Sequence, residues 1–109
     1  MPFKHKNLAR GAWHEFSLIE QMANVGSEIS RAVLWQNKDE QVFKNAVDRA
    51  LELLDLTIQD SRWRKRLKEI VRVREMLIDA LGGGKEYGSS FESLDKYFLS
   101  FTLAARLHR

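Results

Sequence analysis

Residues that break helices are nearly absent from the interior of this 109-residue chain. Its single proline is at position 2, and three of its six glycines form one run at positions 82–84. Because proline and glycine interrupt helices most strongly, the long stretches between these breaks can each form a helix of many turns. Apolar residues recur within them three and four positions apart, which is the spacing of one buried helical face. The sequence therefore predicts an all-α fold.

Four helices follow from this pattern, at residues 17–36, 39–59, 61–81 and 90–108. Polar residues that suit helix N-termini precede each of them. These predicted caps are Ser17 with Glu20, Asn37 with Glu40, Asp60 or Ser61, and Ser89 with Glu92. The glycine run ends the third helix, where one glycine is expected in the left-handed conformation. Since short connections place consecutive helices antiparallel, we predict an antiparallel up-down four-helix bundle over residues 17–109. Residues 1–16 are predicted to be a basic N-terminal arm.

The predicted apolar face of the third helix contains a charge. Arg74 falls near the middle of that face on a helical wheel. A buried guanidinium without a partner is too costly to persist, so Arg74 is predicted to be a buried charge that reaches a carboxylate, a helix-end carbonyl or solvent. A charged group in a bundle-core site is the functional alternative. The rest of the predicted face consists of Trp63, Leu67, Ile70, Val71, Leu77, Ile78 and Leu81.

A strongly basic segment opens the third helix. Seven of the thirteen residues from 62 to 74 are basic and only Glu69 is acidic, so this segment carries +6 while the whole chain carries +3. The helix dipole disfavours cations at an N-terminus, so the crowding calls for compensating anions. Phosphates are the anions that such a stripe binds in nucleic acids. We predict nucleic-acid contacts from Arg62, Arg64, Lys65, Arg66, Lys68 and Arg72, with secondary contacts from Lys4, Lys6 and Arg10.

Three other interpretations of the basic segment remain open. An antiparallel hairpin would bring Asp55 and Asp60 close to Arg62 and Arg66, within one chain. Alternatively, the acids on the second helix pair with the basic segment of another subunit, because they point away from their own core face. These acids are Asp48, Glu52 and Asp55. A solvated charged face without a partner completes the alternatives.

Apolar residues outside the core faces indicate self-association. Leu99, Leu103 and Leu107 form a stripe on the fourth helix, separate from its core face. Patches of this kind usually mark interfaces, and burying these three leucines would contribute about 4–9 kcal/mol before association costs. The alternative is that a loop or the N-terminal arm covers the stripe. We predict a homo-oligomer whose interface contains Leu99, Leu103, Leu107, Leu53, Leu56 and Trp35.

Several classes of function are disfavoured by the residues present. The chain has no cysteine, which removes thiol nucleophiles and cysteine zinc sites and is compatible with the cytoplasm. No apolar run approaches 18 residues, so no membrane partner is expected. Gly82–Gly84 with Lys85 lacks the spacing of a phosphate loop. None of the three histidines has a partner three or four positions away. We therefore predict no catalytic residue, no metal site and no cofactor, and we do not expect an enzyme.

Residues 20–28 (EQMANVGSE), residues 50–56 (ALELLDL) and the basic start of the third helix resemble a family of small four-helix-bundle proteins. The family includes the protein encoded in intervening sequences of bacterial large-subunit ribosomal RNA genes and the accessory variability determinant of diversity-generating retroelements. The resemblance covers about residues 17–108 in length, helix order and patterning. It implies a ring of bundles, expected to be a pentamer, whose basic surface engages RNA or DNA and, in the retroelement case, a reverse transcriptase.

A second helical class has a similar size, namely the nucleotide-binding and ribonuclease bundles of toxin and defence modules. Active members carry Arg, four to six residues, and then His. Here Arg10 precedes His14 by too little, and Arg106 is two positions before His108. Three hypotheses therefore stand: an accessory nucleic-acid-binding protein, an assembly or adaptor subunit whose acidic and basic stripes pair between chains, and a catalytically inactive nuclease-type bundle.

Overall fold

The structure is a computed structural model that describes residues 11–107, and over that range it contains helices and turns but no strand. The α-helices are α1 (Leu18–Trp35), α2 (Glu40–Gln59), α3 (Leu67–Leu81) and α4 (Phe91–Leu107). Two short 3-10 turns, Ala12–Glu15 and Ser61–Arg66, precede α1 and α3. The four helices pack into the antiparallel up-down bundle that the sequence predicts. Every helix within the described range is too short or too polar to span a bilayer.

The first helix, α1, carries most of the packing. It lies against both α2 and α4, whereas α3 makes much less contact with the same two helices. One side of α1 is fully buried, including Met22, Val25 and Ile29. Polar bonds reinforce its contact with α4, because Ser30 bonds to Asp95 and Gln36 bonds to Glu92. The core is therefore centred on α1, and α3 is its least enclosed wall.

The predicted caps are confirmed at α1 and at the 3-10 turn before α3, where Asp60 accepts the N–H of Arg62, and they differ at α2 and α4. Ser17 and Glu20 form the predicted capping box around the start of α1. The cap of α2 is Asp39 rather than Asn37, since the Asp39 carboxylate accepts the N–H groups of residues 41 and 42. At α4 the prediction of Ser89 is wrong, because Ser90 accepts the N–H of residue 93 and Ser93 accepts that of residue 90. Short polar clusters offer two or three possible caps, and tertiary packing selects among them.

Three residues need correction because they lie in the chain's own core. Leu53 and Leu56, assigned to an oligomer interface, are only 3% and 5% exposed. Trp13, assigned to the N-terminal arm, is fully buried, and its indole N–H donates to Thr57 Oγ1 at 3.2 Å. The apolar faces of α2 and of the residues before α1 are thus wider than the sequence pattern indicated, and one chain uses them.

The face that α3 turns to the bundle is also rotated from the predicted one. The structure buries Ile70, Val73 and Leu77. Four residues of the predicted face are at the surface instead, namely Leu67, Val71, Ile78 and Leu81. Apolar residues lie on two sides of α3, and periodicity alone cannot tell which side meets the core. Arg74 consequently lies at the edge of the interface, about one-third exposed, and the prediction of a buried charge is wrong.

The connection from α3 to α4 is organised by one carboxylate. Asp79 accepts backbone N–H groups from Glu86, Tyr87 and Ser89, at 2.9–3.1 Å. Burial by itself would raise the pKa of Asp79, but these three N–H donors lower it below its usual value. Gly83 and Gly84 adopt left-handed conformations after the end of α3, as predicted for the glycine run. The loop is therefore fixed to the end of α3.

A glycine allows the close approach of α1 and α4. A β-carbon on Gly26 would lie 2.8 Å from Phe98 Cβ, which is closer than side chains can pack. Gly26→Val is expected to lower the free energy of unfolding by about 1–3 kcal/mol, because the two helices must separate. Chemical denaturation with circular dichroism measures this difference. Ala23→Val is the matched change, since residue 23 lies on the same helix but is only partly buried. Equal effects of the two changes would contradict the close approach at Gly26.

Candidate nucleic-acid interface

The segment Ser61–Arg66 is a 3-10 turn rather than the first part of an α-helix. Trp63 departs from helical geometry (φ −101°, ψ 20°), and α3 begins only at Leu67. Tertiary hydrogen bonds hold this turn, because the Trp63 indole N–H donates to Gln21 Oε1 at 2.9 Å. Four of the seven cations of the basic segment therefore lie before the helix and not along it. Arg64 is still brought beside Lys68, although by the turn and not by helical spacing.

A buried carboxylate, Asp60, anchors the turn to the bundle. It is only 3% exposed and accepts hydrogen bonds from the Arg62 guanidinium at 2.7–3.2 Å and from the Arg62 backbone N–H at 3.1 Å. Gln21 Nε2 donates to the same carboxylate at 3.2 Å, and His14 Nδ1 lies 3.2 Å from it. The Arg62 bonds hold the pKa of Asp60 well below its usual range, against the effect of burial. The network joins the N-terminal 3-10 turn, α1 and the α2–α3 junction.

Three cations of the basic segment are engaged within the chain. Arg62 binds Asp60 and also donates to the backbone carbonyl of residue 16 at 2.8 Å. Arg66 pairs with Glu69 at 2.8 Å, and Arg74 pairs with Asp55 at 2.8 Å. Arg62 and Arg66, both predicted to contact phosphate, are thus compensated by neighbouring carboxylates. Asp55, which the hairpin interpretation placed near Arg62 and Arg66, pairs instead with Arg74.

Four cations form what we call the α3 basic surface: Arg64, Lys65, Lys68 and Arg72. All four are exposed and line one shallow depression. Among residues 11–107 none of them forms an ion pair. The depression is also lined by Glu69, which Arg66 binds, and by Glu75. Positive charge therefore exceeds negative charge on this surface, which suits an anionic ligand.

Apolar residues lie between these cations. Leu67 and Val71 line the same depression and are 38% and 36% exposed. Further along the helix Ile78 is also exposed. Nucleic acids have apolar base faces between charged phosphates, whereas many protein partners present apolar side chains between acids. The surface chemistry alone is compatible with either kind of partner.

A tyrosine links α3 to α4 beside this surface. The Tyr97 hydroxyl donates to Glu69 Oε1 at 3.1 Å, and the same carboxylate binds Arg66. Burial, together with the negative charge of Glu69, raises the pKa of Tyr97 to about 12. A raised pKa means that the neutral phenol is favoured by folding. Its contribution to stability is complete below the usual pKa of 10.0 and is lost as the pH rises towards 12.

This assignment can be tested by absorbance titration of the tyrosines. We expect a phenolate transition near pH 12 in the folded chain, because Tyr97 ionises only at high pH. Tyr97→Phe should remove the transition, and Glu69→Gln should move it to lower pH by removing the nearby charge. A transition that stays in place after Glu69→Gln would contradict the role of this carboxylate.

The secondary contacts and the predicted oligomer interface are only partly described. Lys4, Lys6 and Arg10 lie outside the described residues, as does His108. The leucine stripe on α4 is at the surface, with Leu99 54%, Leu103 48% and Leu107 82% exposed. Trp35 is half-buried at the end of α1. With Leu53 and Leu56 removed from the predicted interface, the exposed α4 stripe is its main remaining part.

Two interactions were missed by sequence reasoning. The Asp60 network could have been suspected from Gln21, a polar residue between the core positions Leu18 and Val25. Arg72 stacks on Tyr87, with Arg72 Cζ 4.3 Å from the ring centroid. No sequence pattern indicated this contact, because the two residues lie in different elements.

Within residues 11–107, no group of three acidic or histidine side chains is close enough together to hold a metal ion. Fold and surface together define a small all-α bundle with one exposed basic surface. Comparison with protein-family models, with curated proteins and with solved structures found no match to this chain.

Proposed function

We propose that this chain is a non-enzymatic, homo-oligomeric accessory protein of the cytoplasm that binds nucleic acid through the α3 basic surface. The observation that carries the proposal is the set of four exposed cations around one depression, without ion-pair partners in the described residues. These cations are Arg64, Lys65, Lys68 and Arg72. Phosphates would supply the anions that the rest of the bundle does not.

The size of this surface fits a short stretch of one strand. Residues 64 to 72 span roughly 13 Å, at about 2.0 Å per residue through the 3-10 turn and about 1.5 Å per residue along α3. Successive phosphates of one strand of a duplex advance about 3.4 Å along the helix axis, so three or four of them fall within that length. Phosphate contacts carry no sequence information by themselves, and binding should therefore tolerate any sequence of RNA or DNA.

Salt dependence tests the proposal. With four phosphates neutralised, the logarithm of the association constant for a labelled single strand should fall with the logarithm of salt concentration at a slope of about −2.8. A slope near −3.5 would follow if Arg62 or Arg66 contributed a fifth contact. Fluorescence anisotropy over a salt series measures the slope. Absence of binding at low salt, or affinity that salt does not change, would remove the proposal.

Self-association is the second part of the proposal, and the exposed stripe of Leu99, Leu103 and Leu107 supports it. An oligomer would repeat the α3 basic surface and so raise the avidity for a long strand. The resemblance to the retroelement family suggests a pentamer, and it names one protein partner to test, a reverse transcriptase. Light scattering with and without RNA, at low and high salt, measures both subunit number and the effect of nucleic acid.

An assembly or adaptor subunit is the second candidate, and the exposed Leu67, Val71 and Ile78 favour it. In that case the α3 surface of one chain meets an acidic surface of another. Asp55 is less suited to this role than the sequence indicated, because it pairs with Arg74 in its own chain. High salt would then dissociate the oligomer, and nucleic acid would leave its size unchanged.

A further inference from the structure

An aromatic ring extends the α3 basic surface at its far end. Tyr87, in the connection between α3 and α4, is 42% exposed, and the Arg72 guanidinium stacks over its ring at 4.3 Å. Cation–π contacts of this kind hold an arginine in place without neutralising its charge. Arg72 therefore keeps its full positive charge while its plane and the tyrosine ring form one layered surface.

The position of Tyr87 is fixed by its backbone. Its N–H donates to Asp79 Oδ2 at 3.1 Å, and the N–H groups of Glu86 and Ser89 bind the same carboxylate. Gly84 supports this arrangement, because its α-carbon lies so close to the backbone of Ser89 that a β-carbon would come within 2.6 Å of the carbonyl oxygen. The ring is thus presented from an ordered loop, which lowers the entropy lost when a ligand stacks on it.

Tyr87 lines a second depression next to that of the α3 basic surface. Arg72 lines the depression of the α3 basic surface, while Tyr87 lines a second one together with Ile78 and Lys85. Glu75 lines both, and it is the carboxylate between them. Asp79 and Glu86 also line the second depression, and the two depressions meet where Arg72 stacks on Tyr87.

We propose that Arg72 and Tyr87 form a stacking platform for an unpaired nucleobase, which makes this surface selective for single-stranded nucleic acid. The inference rests on the proposed function and adds the class of substrate. Exposed aromatic rings and guanidinium planes stack on any base, whereas bases within a duplex have both faces covered by their neighbours. The four cations bind phosphates of either form, and the platform supplies the discrimination between them.

Substitution of the ring tests the platform directly. Tyr87→Ala is expected to weaken binding of a mixed-sequence single strand about 5- to 150-fold, which corresponds to the loss of one base–aromatic stack. Affinity for a duplex of equal length should not change. The salt slope should also stay the same, because no charge is removed. Tyr87→Trp offers a larger ring and should tighten single-strand binding.

The control is Leu34→Ala, which truncates another exposed apolar side chain, on α1 and away from both depressions. It should leave all affinities at the native level, and thermal unfolding of each variant checks that the bundle is intact. If native protein binds single strands with the expected salt slope but Tyr87→Ala binds them equally well, the platform is refuted and the proposed function stands. An equal loss for duplex and single strand also refutes it. If native protein binds neither form, both proposals fail together.

Discussion

Replacing Arg64, Lys68 and Arg72 together with glutamate is expected to abolish nucleic-acid binding and leave the bundle folded. The change removes three of the four cations of the α3 basic surface and places three carboxylates against the phosphates. We expect affinity at moderate salt to fall at least about 100-fold and the salt slope to shrink from about −2.8 towards −0.7. Anisotropy titrations with a labelled single strand measure both quantities.

The fold should survive this triple change for two reasons. The three side chains are exposed and form no ion pair in the described part of the chain, so the change removes the stacking of Arg72 on the exposed Tyr87 but no ion pair. Glutamate at position 68 also lies in the first turn of α3, where the helix dipole favours a carboxylate. Far-ultraviolet circular dichroism and the melting temperature should therefore remain close to those of the native chain.

A control with the same change in net charge separates the local surface from the overall charge. Lys38, Lys44 and Lys96 are exposed on other parts of the bundle, and their joint replacement by glutamate also lowers the net charge by the same amount. Binding in that variant should weaken only modestly, through the general field. Glu75→Gln removes a carboxylate from the depression and should tighten binding. Equal losses in the two triple variants would show that the α3 basic surface is not the binding site.

The second large effect is expected at Asp60. Asp60→Ala removes a nearly buried carboxylate that joins Arg62, Gln21 and His14. The loss removes the charge-assisted bonds from Arg62, which is itself 41% exposed, and it leaves the buried Gln21 amide short of an acceptor, so the free energy of unfolding should fall by about 2–4 kcal/mol. In a domain of this size the melting temperature would drop by roughly 10–20 °C. Calorimetry or denaturant unfolding measures the loss.

Asp55→Ala is the matched control, because Asp55 also pairs with an arginine at 2.8 Å but is partly exposed. A pair of that kind contributes only about 0–1 kcal/mol. The loss of unfolding free energy should therefore be larger for the buried aspartate, although each aspartate pairs with an arginine. Similar losses of stability in the two variants would contradict the prediction that the Asp60 network stabilises the fold more than the Asp55 pair does.

The pH dependence of Asp60 has a definite sign. Its pKa is lower in the folded chain than its usual value of 3.8, mainly because of the Arg62 guanidinium. The stabilisation is therefore complete above that value and is lost as the pH falls below it. Asp60→Asn keeps the shape of the side chain without the charge, so the stability gap between native and variant protein should close in strong acid. A gap that is constant down to low pH would exclude the ionised carboxylate as its source.

The fold could be predicted from sequence because its determinants are local. Glycine and proline positions, the Ser17 capping box and helical periodicity each act within a few residues, and together they define four helices. What failed was the choice between two apolar faces of α3, and the choice between an internal core and a subunit interface for Leu53 and Leu56. Both depend on which helix lies opposite, which a pattern along one chain does not contain.

The candidate site was predicted in part. The basic segment marks a surface on which Arg64, Lys65, Lys68 and Arg72 stay exposed. Sequence could not show that Arg62 and Arg66 differ from these four in being paired. Asp60 binds Arg62 and Glu69 binds Arg66. Counting residues gives the total positive charge of the segment, whereas the ion pairs decide how much of that charge is available to a ligand.

Because α3 packs lightly, a ligand on its surface should also change the local stability of the helix. A helix with few tertiary contacts has the lowest free energy of local opening, so α3 should fray before α1, α2 and α4 do. A strand that lies along α3 favours its closed, helical form and so supplies stability where the chain itself supplies least. Occupancy of this surface and the ordering of its helix would then rise and fall together.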